Sequence, residues 1–269
     1  MPKVPLETAV KSLVKTAVKA YATGFQDRHF AEHDDPDGTI NMKIHNVFVA
    51  ALGPEIQYFT ALVRSLDSSL GNMLEALAVN IAGLSFDVHK SVKGPLSAEQ
   101  TRGIADLLEK YKRREIIPHS TDYEFLRRRP DATKTPVKRH DSDYYLISKT
   151  TGEHVLIELK IGGDLDNKKA RSEKEAILEQ YAILSNTLPP KTPIRIFFAT
   201  AYNRFGEGKP WRQERVRQFF AEDELLVGAD FWNFVCQSPK GYEWVLAEYQ
   251  ENSHLIIGAL DSIKKLYLR

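Results

Sequence analysis

The chain has 269 residues, 42% hydrophobic and 27% charged, with 37 Lys plus Arg against 36 Asp plus Glu. That balance excludes a disordered chain and suits one compact domain with a sizeable core, while a formal charge of +1 argues, taken alone, against a nucleic-acid partner. The single cysteine, Cys236, excludes an internal disulfide, a zinc finger and an iron–sulfur centre, and its place in the run FWNFVC reads as core packing. Leu6, Val10, Leu13, Ala17 and Tyr21 recur at helical spacing and predict a first helix. The polar segment EHDDPDG after it predicts a loop. His29 and His33 are spaced for a shared metal but lack a third ligand nearby, so they read as a solvated turn. Pro54 suits the start of a second helix carrying Ile56, Phe59, Leu62, Val63 and Leu66. A third begins near Ser69, carries Met73, Leu74, Leu77, Ala78 and Ile81, and ends at Gly83.

Ser97 followed by Gln100 makes a capping box for a helix that runs to Lys110, Lys112, Arg113 and Arg114, with a loop holding Arg127, Arg128 and Arg129 beyond it. The character then changes. YYLIS and HVLIELKI are strand-like runs separated by KTTGE, whose Gly152 supports a hairpin turn. A charged helix follows, with Ala170, Ile177, Tyr181, Leu184 and Leu188 on one face, and stops at Pro189 and Pro190. PIRIFFATAYN then reads as a buried strand. The order hairpin, helix, buried strand predicts an α/β protein: a central mixed sheet flanked by helices, with a mainly helical N-terminal region. Within a single domain spanning 1–269, residues 1–115 form that helical region, suited to dimerisation or DNA binding, and 116–269 the core with C-terminal helices.

The hairpin brings charged groups together. With the turn centred on Thr151 and Gly152, antiparallel pairing sets Asp143 opposite Lys160 and Tyr145 opposite Glu158, so Asp143, Glu158 and Lys160 share one face. Opposed and diagonal side chains then lie about 5 to 8 Å apart, close enough for two carboxylates to hold one cation. Two such carboxylates suit Mg²⁺, and a water on that ion can become the nucleophile at a phosphodiester. An acid two residues before a lysine occurs three times, at Glu158–Lys160, Asp166–Lys168 and Glu207–Lys209, so the pattern alone carries no weight. The first instance stands out because it ends an apolar strand beside a second acid. Spacing leaves both a metal site and a surface ion pair open.

The run D143-S-D, then E158-L-K160 followed by IGGDLDNKKARSEKEAILEQYAIL, resembles the PD-(D/E)xK nuclease core of TdeIII-type restriction endonucleases. A weaker likeness continues through GADFWNFVC and YEWVLAEY, similar to enzymes that cut interrupted GGNCC palindromes. The resemblance implies a restriction-endonuclease-like fold and a Mg²⁺-dependent type II enzyme that acts on double-stranded DNA as a homodimer. It also implies that Asp143 and Glu158, with the Leu159 carbonyl, bind the metal, and that Lys160 completes the active site. No proline precedes Asp143, so Asp141, two residues earlier on the same strand face, stays a rival. Relatives of this core place a glutamate from an N-terminal helix near the metal, a role that Glu75 matches; its alternative is an exposed position on an amphipathic helix. The apolar neighbours Met73, Leu74 and Leu77 lead us to expect that helix to be largely buried.

Basic residues supply candidate DNA contacts. Asn203, Arg204, Lys209, Arg212, Arg215 and Arg217 follow the buried strand, where a loop and helix could enter a groove. Lys168, Lys169, Arg171 and Lys174 begin the crossover helix, where phosphate contact is expected; Asp164 and Asp166 suit its cap. GEGK at 206–209 lacks the rest of a phosphate-binding loop, so no nucleotide cofactor is expected. The chain shows no apolar run long enough to span a bilayer and no signal peptide, which suggests an intracellular protein, and the resemblance implies the cytoplasm of a prokaryotic cell. The near-neutral total is a cancellation. Residues 110–139 carry ten Lys or Arg against four acids, and residues 222–251 one Lys against seven acids, so a DNA partner is compatible with it.

Overall fold

The computed structural model describes residues 4–131, 135–163 and 165–268; Asp164 lies outside them. These residues form two compact units, one made of 4–80 and 243–268 and the other of 81–242.

The first unit is helical. Helix α1 (Leu6–Ala31) buries Val10, Val14, Val18, Ala22, Phe25 and His29, a stripe at helical spacing. His29 is fully buried rather than solvated: its Nε2 lies 3.2 Å from Ser65 Oγ, and its carbonyl accepts the Tyr267 hydroxyl at 3.0 Å. A short helix α2 (Val47–Ala50) precedes α3 (Pro54–Ala82), which is one helix where the sequence suggested two. Ser69 does not interrupt it, because its hydroxyl folds back onto the Ser65 carbonyl at 2.6 Å. Phe25, Ile40, Tyr58, Ala61, Leu62 and Ile263 form this unit's core, the last contributed by the C-terminal helix α8 (Gly241–Tyr267).

The second unit holds a mixed sheet of five strands among the described residues, in the order β1-β2-β3-β4-β5. They are β1 (Phe86–Pro95), β2 (Val137–Ser148), β3 (His154–Leu159), β4 (Ile194–Thr200) and β5 (Leu225–Val227). The first two pairings are antiparallel and the last two parallel. Strands β1 and β5 are both edges that the sequence pattern did not announce: FDVHKSVKGP alternates poorly, and β5 is only three residues. Helix α4 (Ala98–Lys112) starts at the expected capping box, Ser97 Oγ accepting from the Gln100 amide at 3.1 Å. It shares one face of the sheet with α5 (Asn167–Thr187), where Leu107, Leu108, Ile177, Leu178 and Tyr181 meet Leu156, Ile196 and Phe198. Gly94 admits α5 this closely, since a Cβ there would stand 2.5 Å from Thr187. Helix α7 (Ala229–Cys236) covers the other face, with Phe234 against Phe86 and Phe197 and Phe231 against Tyr144. Cys236 is buried there, which pushes its thiol up to about 12.

Among the described residues no helix is long and apolar enough to cross a membrane.

Candidate active site

Two irregularities on β2 place the acidic groups. The first is the hairpin register. Tyr144 pairs with Ile157 and Tyr145 with Leu156, two residues away from the register expected from a turn centred on Thr151 and Gly152. The connection is instead a four-residue loop: Ser148 N–H bonds the Glu153 carbonyl at 2.9 Å, and Gly152 closes the loop with φ +69°. A shift of two keeps the same side chains on the same face, so Asp143, Glu158 and Lys160 stay together. It moves Glu158, rather than Lys160, to the position across from Asp143.

The second irregularity is a bulge. His89 of β1 pairs with Tyr145 and Ser91 with Asp141, so the short step from 89 to 91 faces the longer stretch from 141 to 145 on β2. Asp143 sits in that bulge, where a strand bends and re-aims its side chain. Its Oδ2 accepts the Leu159 N–H at 3.3 Å.

Lys160 is the hub of the site. Its Nζ lies 2.5 Å from Glu158 Oε1, 3.3 Å from Glu173 Oε1 and 4.0 Å from Asp143 Oδ2. Strand β3 delivers Glu158 at only 8% exposure, while Asp143 and Lys160 reach solvent. Burial, and next the charge of Asp143, push the Glu158 carboxyl up to about 8, against the opposing pull of Lys160. Burial also works against the ammonium of Lys160, but the carboxylates, Glu158 foremost, outweigh it and raise its pKa. Three carboxylates around one ammonium leave an anionic excess.

Glu173 was not among the residues singled out from sequence, although a signal for it existed. It stands three residues after Ala170 and four before Ile177, on the face of α5 that packs on the sheet. A part-buried acid on the sheet-facing side of a helix needs a partner for its charge, which Lys160 supplies here.

The remaining candidates fall elsewhere. Asp141 is 90% exposed at its side chain and approaches Arg139 at 3.8 Å. Glu75 is exposed on α3, contrary to the burial expected of that helix, and belongs to the first unit. Leu159 has a buried side chain, and its N–H is the group that meets Asp143. Lys168 and Lys169 are exposed on the first turn of α5, whose N-cap is Asp166, accepting from the Lys169 amide at 2.8 Å. Arg171 is half-buried, 4.0 Å from Glu109. Lys174, expected at phosphates, is fully buried instead: it bonds Glu224 at 2.6 and 2.7 Å and lies over the rings of Phe220 and Tyr123.

Beyond β4, Asn203 spends both ends of its side-chain amide inside its own loop, accepting from Phe205 N–H at 3.0 Å and donating to the Lys209 carbonyl at 2.7 Å. Arg204, Lys209, Arg212 and Arg215 are exposed, and the last two form no ion pair among the described residues. Arg217, on the short helix α6 (Glu214–Arg217), pairs with Glu222 at 2.8 Å.

The donor set fits a hard divalent cation. Asp143 and Glu158 offer oxygen only, a cation would offset the burial and the Asp143 charge that raise the Glu158 carboxyl, and two carboxylates leave room for the waters that Mg²⁺ retains. Among the described residues no group of three His, Cys, Asp or Glu side chains is arranged to hold a metal, so protein ligation alone does not complete a coordination shell here.

A family model described as "Type II restriction endonuclease, HinfI" matches residues 6–253. No curated protein and no solved structure matches the chain.

Proposed function

Because the chain belongs to the HinfI family of type II restriction endonucleases, enzymes that hydrolyse DNA at specific sites, we propose that Asp143, Glu158 and Lys160 form its catalytic centre. The observation that carries this reading is the convergence of three carboxylates on Lys160 at the end of β3. Asp143 and Glu158 would hold Mg²⁺, with the Leu159 carbonyl beside them, and the ion supplies an acidified water and charge neutralisation at the phosphoryl oxygen.

The chain's own residues do the rest. The Leu159 N–H and the bulge fix the direction of Asp143. Glu158 is held in place by the buried apolar residues of β3, Leu156, Ile157 and Leu159. The carboxylates around Lys160 favour its charged form, which suits a hydrogen-bond donor to the attacked phosphate or the incoming water. Glu173 holds that ammonium from the α5 side. In-line attack at phosphorus leaves a 5′-phosphate and a 3′-hydroxyl.

The enzyme acts as a homodimer on double-stranded DNA, each subunit cutting one strand, because a two-fold site is matched by a two-fold protein. The resemblance to TdeIII-type enzymes supports an interrupted palindrome, GGNCC or an extension of it. Residues 1–115 supply helical surface for dimerisation or DNA contact, including Glu75 as an additional acid, and 116–269 complete the catalytic core begun by β1. Lys168, Lys169 and Arg171 meet phosphates, and the basic loop after β4 meets the duplex. The experiment is plasmid cleavage in Mg²⁺. The parent protein linearises DNA at fixed positions, and Glu158→Ala lowers the rate by at least about a hundredfold with an unchanged thermal midpoint. Equal cleavage by the variant would overturn the assignment.

A further inference from the structure

Strand β4 leaves the sheet beside the catalytic lysine. The Ala201 N–H bonds the Ile161 carbonyl at 3.1 Å, and the Tyr202 hydroxyl lies over Gly162, where a Cβ would come within 2.7 Å of it. The loop that follows is built from inside. Asn203 ties Phe205 N–H to the Lys209 carbonyl through its amide, and its own carbonyl accepts the Gly206 N–H at 2.9 Å. Glu207, in the GEGK run that matched no nucleotide motif, accepts from the Asn203 and Ala229 amides, each at 3.1 Å. That carboxylate fills the space beside Gly228 that a Cβ would need, and so bolts the loop to the start of α7. Trp232 Nε1 holds the Ala201 carbonyl at 2.8 Å from the same helix.

A loop so tied cannot fold its apolar side chains inward. Tyr202 is 48% and Phe205 40% exposed, two large rings within four residues of one another just past the C-terminal end of β4. Lys209, Arg212 and Arg215, which follow in sequence, are exposed. Holding aromatic rings in water beside cations is unfavourable for the free protein and is offset when a polyanion with stacked planar groups binds. The ordering cost of the loop has already been met in the unbound state, which favours binding.

Resting on the nuclease reading above, we propose that the 202–209 loop is a preformed aromatic wedge that inserts the Phe205 ring against DNA bases next to the scissile phosphodiester and unstacks that step. Tyr202 supports it from the Gly162 side, and Lys209, Arg212 and Arg215 contact the flanking phosphates. Apolar wedges of this kind kink a duplex and bring more protein surface to it.

The test uses the full chain and a duplex whose cut bond has been located on sequenced DNA, with 2-aminopurine placed at the step flanking that bond and Ca²⁺ replacing Mg²⁺. The parent protein raises 2-aminopurine fluorescence several-fold. Phe205→Ala abolishes the rise and weakens binding about tenfold to a hundredfold without altering its salt slope, since a ring releases no counterion. Lys209→Ala keeps the rise and lowers the salt slope by about one. Unchanged fluorescence with the parent protein, or a full rise with Phe205→Ala, overturns the wedge while leaving the nuclease reading intact. Failure of the parent protein to cut any DNA overturns the nuclease reading, and the wedge with it.

Discussion

Lys160 is held by three carboxylates that come from different segments: Glu158 from its own strand, Asp143 from a bulge on the neighbouring one, and Glu173 from the following helix. That Asp143 and Glu158 come together was legible because they flank a hairpin with alternating side chains, and a register error of two residues preserves the face. A slip of one would have lost the site. Nothing in the local sequence distinguished Asp143 from Asp141, because the bulge that separates them arises from pairing with β1, a strand whose own pattern is obscure. The three acid-x-lysine matches also separate only in three dimensions: Glu158 enters the hub, Asp166 caps α5, and Glu207 clamps a loop. On the proposed catalytic reading Glu173 would act on the substrate through Lys160, and Glu173→Gln should lower turnover roughly tenfold to a hundredfold, the usual cost of losing a supporting partner. Asp141→Ala, compared under the same conditions, should cleave as the parent does. Single-turnover cleavage measures both, and the reverse order of effects would favour Asp141.

At the level of elements, α5 is registered on the sheet by a group that the sequence misassigned. Lys174 follows Glu173 and looked like one more exposed cation of a basic helix start, yet it forms a buried pair with Glu224 under two aromatic rings. Helical spacing could not reveal this, because its partner lies fifty residues away, before a strand of three residues. Lys174→Met leaves the Glu224 carboxylate buried and unpaired, which should destabilise the protein by about 3–5 kcal/mol in urea unfolding; adding Glu224→Leu should recover much of that loss. His29 offers a pH-dependent counterpart in α1. Burial, and next the nearby Arg28, lower its pKa, so below its ordinary range near 6.5 the unfolded chain binds a proton that the folded chain does not. Stability contributed by the neutral ring is therefore present at pH 7.5 and falls as the pH drops through about 6.5. The thermal midpoint should fall less for His29→Gln than for the parent between pH 7.5 and 5.5, and a parallel fall would contradict this assignment.

For the whole molecule, the sheet and the order of its inner elements were readable, since hairpin, crossover helix and buried strand follow directly from periodicity and Pro/Gly punctuation. The edges and the partition into two compact units were not, because they depend on pairings between segments far apart in the chain: β1 with β2 across a helix, and α8 with α1. The net charge of +1 was similarly uninformative, as basic and acidic segments cancel while Lys209, Arg212 and Arg215 stay exposed in the segment after β4. The central claim is that the Asp143, Glu158 and Lys160 centre of a HinfI-family chain cuts both strands of DNA at a fixed site. The most direct measurement is sequencing the fragment ends of one fully known linear DNA after digestion in Mg²⁺ by the parent protein and by Glu158→Ala. The parent protein should give ends at one recurring palindrome, symmetric on the two strands with 5′-phosphates and 3′-hydroxyls, and the variant none. Ends scattered without a common sequence, or the same ends from Glu158→Ala at a comparable rate, would contradict it.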